Sequence, residues 1–429
     1  MEKITYDQLQ EEIYYEQLSN GLDVYILPKK GFNKTYATFT TKYGSVDNHF
    51  QKIGTDTFVK VPDGIAHFLE HKLFEKEDGD VFQQFSKQGA SANAFTSFTR
   101  TAYLFSSTSN VERNLETLID FVQDPYFTEK TVEKEKGIIG QEITMYDDNP
   151  DWRIYFGLIQ NMYKNHPVNI DIAGTIESIS HITKDMLYDC YNTFYHPSNM
   201  LLFIVGPVEP EKIMEQVKEN QGRKKYQDMP EIKRRFEDEP AEVVEKKQVL
   251  EMNVQTSKCL VGIKTHNANQ SGQEMLKTEL SINVLLDLLF GKSSEHYSTL
   301  YNDGLIDDTF SYDYTQENGF GFAMVGGDTS DPDKLAESLR AVLLKVKEKG
   351  IITKESLERT KKKKIGGFLR AINSPEYIAN QFTRYAFNEM NLFDVVSTLE
   401  SITLEDIEKV GSEFISEERL TVCQVVPKK

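Results

Sequence analysis

Short segments in the second half of the chain match segments in the first half, in the same order and roughly 220 positions later. The segment 129–133 (EKTVE) is matched by 354–358 (KESLE), and 182–186 (ITKDM) is matched by 402–406 (ITLED). Each match is weak alone, but their common order and nearly constant spacing are typical of two copies of one domain. Solenoid repeats are only about 20–50 residues long. The pattern therefore predicts a duplicated domain.

The length and composition agree with a two-domain globular protein. The chain has 429 residues, and domains usually have about 100–200 residues. A charged, proline-containing stretch separates the two copies, so we predict an N-terminal domain at 1–210, a polar helix and linker at 211–247, and a C-terminal domain at 248–429. Hydrophobic residues make up 39% of the chain, too many for a disordered protein. The net charge of −18 argues against nucleic acid or an anionic membrane as a partner.

Strand and helix patterns are mixed along the chain without a regular βαβ order. Alternating or continuous apolar runs predict strands at 22–28, 35–44, 100–108 and 200–205. Apolar spacing of three and four residues predicts helices at 64–74, 111–123, 129–146 and 184–194. Four consecutive lysines at 361–364 fall on a further helical pattern, and we interpret them as its solvent-facing side. The fold class predicted is α+β, with two homologous domains of sheet plus helices.

The cysteines and the N-terminal residues indicate the compartment. Cys190, Cys259 and Cys423 are far apart, and an odd number of cysteines does not suit a disulfide framework. A reducing compartment fits best. Residues 1–21 lack the apolar segment of a signal peptide, and the apolar run at 201–205 is far shorter than a membrane span. We therefore expect a cytoplasmic protein.

One short motif carries metal chemistry, and it reads His67-Phe68-Leu69-Glu70-His71. If 64–74 is a helix, His67 and His71 share a face because they are four residues apart, and both can bind one zinc ion. Glu70, beside the second histidine, can then take a proton from water; this is the inverted order of HExxH. The alternative is an ordinary pair of partly buried helix histidines, and chance produces the motif in roughly one such chain per hundred.

A catalytic zinc site needs a third protein ligand, and the predicted helix at 129–146 offers carboxylates. Glu135 and Glu142 are seven residues apart with two isoleucines between them, so they lie along one stripe of the helix. Such a stripe suits a helix that delivers one ligand and one supporting acid to a buried metal. The glutamates near the start of this helix, Glu129 and Glu133, are expected to face solvent.

Together these residues resemble the M16 metallopeptidases, the family of pitrilysin, insulinase and the mitochondrial processing peptidase. The resemblance covers most of the chain. A chain of this length is most similar to the short bacterial members of the family. It extends from the HxxEH motif to Glu142 and includes Tyr43-Gly44-Ser45, Gly89 and Asn93-Ala94. The duplicated α+β domain also belongs to this pattern.

The resemblance implies a set of site residues. His67, His71 and Glu142 would bind one zinc ion per chain. Glu70 would be the general base, and Glu135 would be an auxiliary catalytic acid near the metal.

The resemblance also implies how a peptide is held. Ala92, Asn93, Ala94 and Phe95 fall where the family has an edge strand that accepts an extended peptide by β-augmentation. For Asn93, a plain turn or strand residue is the alternative interpretation. The two domains would close like a clam shell around the substrate, and the acidic charge favours basic or unstructured peptides.

The second copy does not repeat the zinc motif. The positions that correspond to His67, Glu70 and His71 hold Asn283, Leu286 and Asp287. None of the three is a histidine, so the C-terminal domain cannot bind zinc in the same way.

The family usually gives that second domain an arginine and a tyrosine, seven residues apart, that hold the substrate near the metal. These positions flank Gly304-Leu305 and fall near Leu300 and Asp307, although an alignment shift of one residue would bring Tyr301 into the site. The departure implies that an M16-like partner supplies the pair in a homo- or heterodimer, and that this chain is the zinc-bearing subunit.

The sequence thus predicts a zinc-dependent endopeptidase similar to processing proteases, acting on peptides or small unstructured proteins. One alternative is a non-catalytic M16-fold scaffold or peptide-binding subunit, but such proteins have lost part of the HxxEH motif. A peptide-binding module with structural zinc is a further alternative, although structural sites use four protein ligands, often cysteines, and no cysteine lies near the motif.

Overall fold

The computed structural model describes residues 1–77, 79–265, 268–348 and 352–428. They form two compact units, each assembled from three stretches of chain. The N-terminal unit comprises Met1–Ile143, Ile170–Phe236 and Ala371–Phe387. The C-terminal unit comprises Thr144–Asn169, Glu237–Arg370 and Asn388–Lys429.

The strands fall into two groups along the chain. The first group is β1 (Glu2–Tyr6), β2 (Glu11–Gln17), β3 (Asp23–Pro28), β4 (Thr35–Thr41), β5 (His49–Gln51), β6 (Phe58–Lys60), β7 (Glu75–Lys76), β8 (Gly79–Asp80), β9 (Ala90–Thr96), β10 (Thr101–Ser107) and β11 (Met200–Gly206). The second group is β12 (Lys247–Met252), β13 (Ser257–Lys264), β14 (Ser311–Glu317), β15 (Phe320–Thr329) and β16 (Leu420–Pro427).

Helices cover most of the remaining chain. Those before β12 are α1 (Ile65–Leu73), α2 (Val81–Lys87), α3 (Val111–Val122), α4 (Glu129–Asp147), α5 (Pro150–Met162), α6 (Ile176–Ser180), α7 (Lys184–Phe194) and α8 (Pro210–Gly222). Those after it are α9 (Gly272–Phe290), α10 (Glu295–Asn302), α11 (Pro332–Lys345), α12 (Lys354–Ala371), α13 (Pro375–Phe387), α14 (Val395–Ser401) and α15 (Leu404–Phe414). Short 3₁₀ turns occur at Pro167–Asn169, Pro197–Asn199, Leu392–Asp394 and Glu417–Arg419. Within the described ranges, no helix combines the length and apolar character needed to cross a bilayer.

The N-terminal unit is built on a sheet whose described strands have the order β1-β2-β3-β11-β4-β10-β9. Strand β11 runs parallel to β3 and antiparallel to β4. Every residue of β4 and β11 is buried. Burial on both faces explains why β11 is apolar without alternation.

The C-terminal unit repeats this arrangement in a sheet of order β12-β16-β13-β15-β14. Strand β16 runs parallel to β12 and antiparallel to β13. This order matches β3-β11-β4-β10-β9 strand for strand, in direction as well as in sequence order. The prediction of two homologous α+β domains is confirmed. The N-terminal sheet has an additional hairpin, β1–β2, that pairs with the edge of β3.

Each unit also contains one helix from the other half of the chain. Helix α13 packs on β4 and β11 of the N-terminal unit, where the Phe382 and Phe203 ring centroids are 4.6 Å apart. Helix α5 packs on β13 and β16 of the C-terminal unit, where Leu158 and Met162 lie so close to Gly262 that a Cβ there would clash. The predicted domains, 1–210 and 248–429, are continuous stretches of chain, whereas the compact units are discontinuous.

The lysines of 361–364 lie on α12, and one of them is not solvent-facing. Lys361 is buried, and its Nζ donates to the carbonyl oxygens of Glu400 and Ile402 at 2.8 and 2.9 Å. These carbonyls lie at the C-terminal end of α14, where helix carbonyl groups lack partners within the helix. The prediction of a wholly solvated face is therefore wrong for Lys361, since the two carbonyl groups that it bonds lie about 40 positions away, where local periodicity does not reveal them.

Candidate metal centre

Helix α1 holds the two histidines of the motif in the N-terminal unit. Its N-cap, Gly64, has φ +88°, and a side chain there would clash with the backbone of Ala173. The helix is buried around most of its circumference. Spacing of i and i+4 places His67 and His71 on one face, with ring centroids 4.6 Å apart.

Helix α4 brings two carboxylates to these rings. Glu142 Oε1 lies 3.7 Å from His67 Nε2, and Glu142 Oε2 lies 3.6 Å from His71 Nε2. Glu135 Oε1 lies 3.1 Å from His71 Nδ1. Ile139, between the two acids, is fully buried and anchors this part of the helix. Glu142 therefore faces both Nε2 atoms, while Glu135 hydrogen-bonds the other ring nitrogen of His71, Nδ1.

The three donors fit a zinc ion. His67, His71 and Glu142 each offer one atom, and these atoms lie within 4.8 Å of one another. Zinc bonds of about 2.0–2.1 Å at tetrahedral angles place neighbouring ligand atoms about 3.3–3.4 Å apart. Glu142 approaches His67 Nε2 through Oε1 at 3.7 Å and His71 Nε2 through Oε2 at 3.6 Å, so a carboxylate oxygen lies near this spacing from each ring. Three protein ligands also leave the fourth position open, as a catalytic zinc site requires.

The surroundings of the two histidines shift their pKa values in opposite directions. Burial, together with the neighbouring His71, lowers the pKa of His67 to about 4 against the opposing effect of Glu142 and Glu135. His67 is therefore neutral at pH 7, which is the form that binds metal. Burial also disfavours the charged form of His71, but the hydrogen bond with Glu135 and the nearby Glu70 and Glu142 raise its pKa overall. That hydrogen bond fixes Nδ1 as the protonated nitrogen and leaves Nε2 for the metal.

Glu70 lies beside the cluster as a buried carboxylate with 8% exposure. Burial raises the pKa of Glu70 overall, against the opposing effect of a hydrogen bond from Thr96. The Thr96 hydroxyl donates to Glu70 Oε2 at 2.6 Å. Glu70 was predicted from the motif, whereas Thr96 was not, although this threonine directly follows the predicted substrate residues and continues their alternation along the strand.

The predicted substrate residues Ala92, Asn93, Ala94 and Phe95 all lie on β9. This strand pairs with β10 along its whole length and stands at one end of the sheet order, so its other edge has no partner strand among the described residues. Asn93 is exposed, and its Oδ1 accepts a bond from the Ala94 N–H at 2.9 Å. The strand thus has the open edge that β-augmentation needs.

The structure brings the predicted metal and acid residues together and leaves others apart. His67, His71, Glu142, Glu135 and Glu70 form one group, and Thr96 joins it to β9. The remaining glutamates of α4, Glu129 and Glu133, are exposed, as the sequence analysis predicted.

The corresponding place in the C-terminal unit holds an ion-pair cluster. Asp287 on α9 is buried, and Lys363 Nζ bonds both its carboxylate oxygens at 2.8 and 3.1 Å. Lys364 Nζ lies 3.4 Å from the same group. The carboxylate that could bind a metal here is instead paired with two lysines. The other two counterpart positions hold Asn283 and Leu286, neither of which is a histidine.

Comparisons with known proteins establish the family. The model of the insulinase domain (peptidase family M16) matches residues 60–176, and that of the peptidase M16 inactive domain matches residues 181–364. An uncharacterized zinc protease of Bacillus subtilis, YmfH, is 71% identical over 425 residues, which cover 99% of each chain. The chain belongs to the M16 peptidase family. The resemblance that the motif indicated is confirmed.

Solved structures of M16 peptidases share the fold. An M16-like peptidase from Alicyclobacillus acidocaldarius has a TM-score of 0.94 and 41% sequence identity, covering 97% of this chain and 99% of its own. A protease from Helicobacter pylori has a TM-score of 0.85 at 22% identity, covering 97% of this chain and 100% of its own. At that identity the likeness shows the fold alone.

In this M16 chain, Glu135→Gln should weaken zinc binding by about 10–100-fold, because Glu135 fixes the ring of His71. Competition with a chromogenic zinc chelator measures the affinity. The control is Glu133→Gln, the same change at an exposed position of α4, which should bind zinc like the wild type. Equal affinity in both variants would contradict an orienting role for Glu135.

Proposed function

We propose that this M16 peptidase is a zinc-dependent endopeptidase, with His67, His71 and Glu142 as ligands of one zinc ion per chain. The observation that carries the proposal is the convergence of three donor atoms within 4.8 Å, with the buried acid Glu70 one residue from a ligand. The relatives named as zinc proteases support the metal and the reaction class.

The zinc ion and the acids around it would each have a separate role in peptide hydrolysis. The zinc ion would polarise the scissile carbonyl group and lower the pKa of a bound water toward about 7. Glu70 would accept the proton that this water loses and deliver it later to the leaving amine. Glu135 would act through His71, by holding its Nδ1 proton and keeping Nε2 directed at the metal.

An extended peptide would bind along β9. Its main chain would hydrogen-bond the open edge beside Ala92, Asn93, Ala94 and Phe95, so that affinity would depend little on sequence. Thr96, at the end of this strand, contacts Glu70 directly, so a peptide on β9 would run toward the proposed base. This placement favours peptides and unstructured segments over folded substrates.

A quenched fluorescent peptide and metal analysis test this function together. The proposal expects close to one zinc per chain and, with an M16-like partner chain present, turnover that stops when the metal is removed and returns when zinc is restored. A protein without zinc, or turnover unaffected by its removal, would contradict the proposal and would favour a non-catalytic M16 scaffold or peptide-binding subunit.

We further propose that an M16-like partner supplies the arginine and tyrosine that the family uses to hold substrate. At the expected positions, Leu300 is buried, and Asp307 accepts hydrogen bonds from the backbone and hydroxyl of Thr309. Neither side chain supplies the cation or the phenol. The purified chain alone should therefore be weakly active or inactive, and activity should rise when the partner is added. Strong peptide turnover by the monomer would contradict this part of the proposal.

A cytoplasmic location also belongs to the proposal. Cys190, Cys259 and Cys423 are all buried and free of disulfide bonds, as expected in a reducing compartment. Cell fractionation with compartment markers tests this directly, and recovery outside the cytoplasm would contradict it.

A further inference from the structure

Thr96 links the edge strand β9 to the acid that we propose as the base. It is the last residue of β9, and its Oγ1 donates to Glu70 Oε2 at 2.6 Å. Among the described residues, Thr96 is the one group that hydrogen-bonds the Glu70 carboxylate. Glu70 is buried against the core on α1, so little water reaches it to replace this bond.

The direction of the Thr96 hydroxyl is set by the sheet. Thr96 pairs with Thr101 across the β9–β10 ladder. The Thr101 hydroxyl donates to the Tyr43 carbonyl oxygen at 2.9 Å and lies 3.5 Å from Thr96 Oγ1. The Tyr43 carbonyl is closer to the Thr101 hydroxyl than Thr96 is, so it accepts the Thr101 proton. The Thr96 hydroxyl is then free to donate its own proton to Glu70. Because threonine is branched at Cβ, its χ1 angle follows the backbone of the strand.

We propose that Thr96 is a positioning residue that orients Glu70 and makes this orientation depend on the strand that receives the substrate. With Oε2 held by Thr96, Oε1 is the atom left to take the proton. A peptide paired with β9 would lie on the same strand whose last residue, Thr96, holds the carboxylate. The inference rests on the endopeptidase function proposed above.

Kinetics of two substitutions test the role. Thr96→Val keeps the shape of the side chain but removes the hydroxyl, and kcat should fall by about 10–100-fold, the usual effect of losing a hydrogen bond to a charged group. KM should stay within about twofold, because the main chain of β9 is unchanged. Thr96→Ser retains the hydroxyl and should recover most of the activity.

Thr38→Val is the matched control. Thr38 is a buried threonine of β4 whose hydroxyl has no partner in the described part of the chain, so its replacement should leave kcat unchanged. If Glu70→Gln hydrolyses peptide like the wild type, the proposed function itself fails. If Glu70→Gln is inactive while Thr96→Val is fully active, the positioning role alone fails.

Crystal structures of the Thr96 variants give a readout that does not need activity. In Thr96→Val the Glu70 carboxylate should leave its wild-type position or occupy more than one conformer. In Thr96→Ser it should stay within hydrogen-bond distance of the serine hydroxyl. A single, unchanged Glu70 conformer in Thr96→Val would overturn the proposal, whether or not the chain is active alone.

Discussion

Glu70→Gln should retain zinc and lose peptide hydrolysis by about 10²–10⁴-fold in kcat. Glutamine keeps the shape of the side chain and can still accept the Thr96 hydrogen bond, but it cannot take a proton. Zinc should remain, since the donor atoms belong to His67, His71 and Glu142. Turnover of a quenched peptide and zinc content are measured on the same samples, with the partner chain present if the chain alone is inactive.

The control for this result is again Glu133→Gln, an exposed carboxylate of α4 that pairs only with Lys136 on the same helix in the described structure. It should match the wild type in turnover and in zinc content. Undiminished turnover by Glu70→Gln would remove Glu70 from the reaction. Loss of zinc together with activity would instead assign Glu70 to the metal-binding set.

Replacing a ligand has the second large effect. His67→Ala, His71→Ala and Glu142→Gln should each reduce bound zinc from near one per chain to a small fraction. The loss of affinity should exceed the roughly 10–100-fold typical of losing a group that only orients a ligand. Metal analysis after dialysis against a weak chelator measures the content.

Thermal unfolding gives a second measurement of the ligand set that is independent of catalysis. Zinc at about 1,000 times its Kd stabilises the folded state by about 4 kcal/mol, so added zinc should raise the unfolding midpoint of the wild type. The three ligand variants should show almost no rise. His181→Ala, which changes an exposed histidine, should respond like the wild type. An equal zinc response in all variants would contradict the ligand assignment.

The sequence predicted the local part of the site well. The helix predicted at 64–74 is observed at Ile65–Leu73, and the one predicted at 129–146 is observed at Glu129–Asp147. Helical periodicity is a property of neighbouring residues, so it places His67 with His71 on one face. That Glu142 meets both rings depends on where the tertiary fold places α4. The carboxylate stripe of 129–146 and the family resemblance both indicated this role, but neither fixes the geometry.

Features that depend on distant parts of the chain were not predicted. The Thr96–Glu70 bond joins residues that are 26 positions apart, and the bonds of Lys361 reach 39 and 41 positions along the chain. The membership of α5 and α13 in opposite units likewise follows from packing on sheets, not from their own patterns. A motif specifies which residue types are present, whereas burial and hydrogen-bond partners are set by the tertiary fold.

Among the described residues, the second copy of the domain lacks the cluster of potential metal donors found in the first. Asp287 retains an acid near the position of a ligand, but Lys363 lies within 2.8 Å of it. A buried carboxylate paired with a cation is already neutralised. Both copies have the same strand order, so the difference lies in the side chains at these positions.

Anomalous X-ray scattering at the zinc absorption edge would show directly whether zinc is bound by His67, His71 and Glu142. Crystals of the zinc-loaded chain should show one strong anomalous peak, at about 2.0–2.2 Å from the Nε2 atoms of both histidines and from a Glu142 oxygen. No peak at this position, or a zinc ion coordinated by other residues, would contradict this ligand assignment.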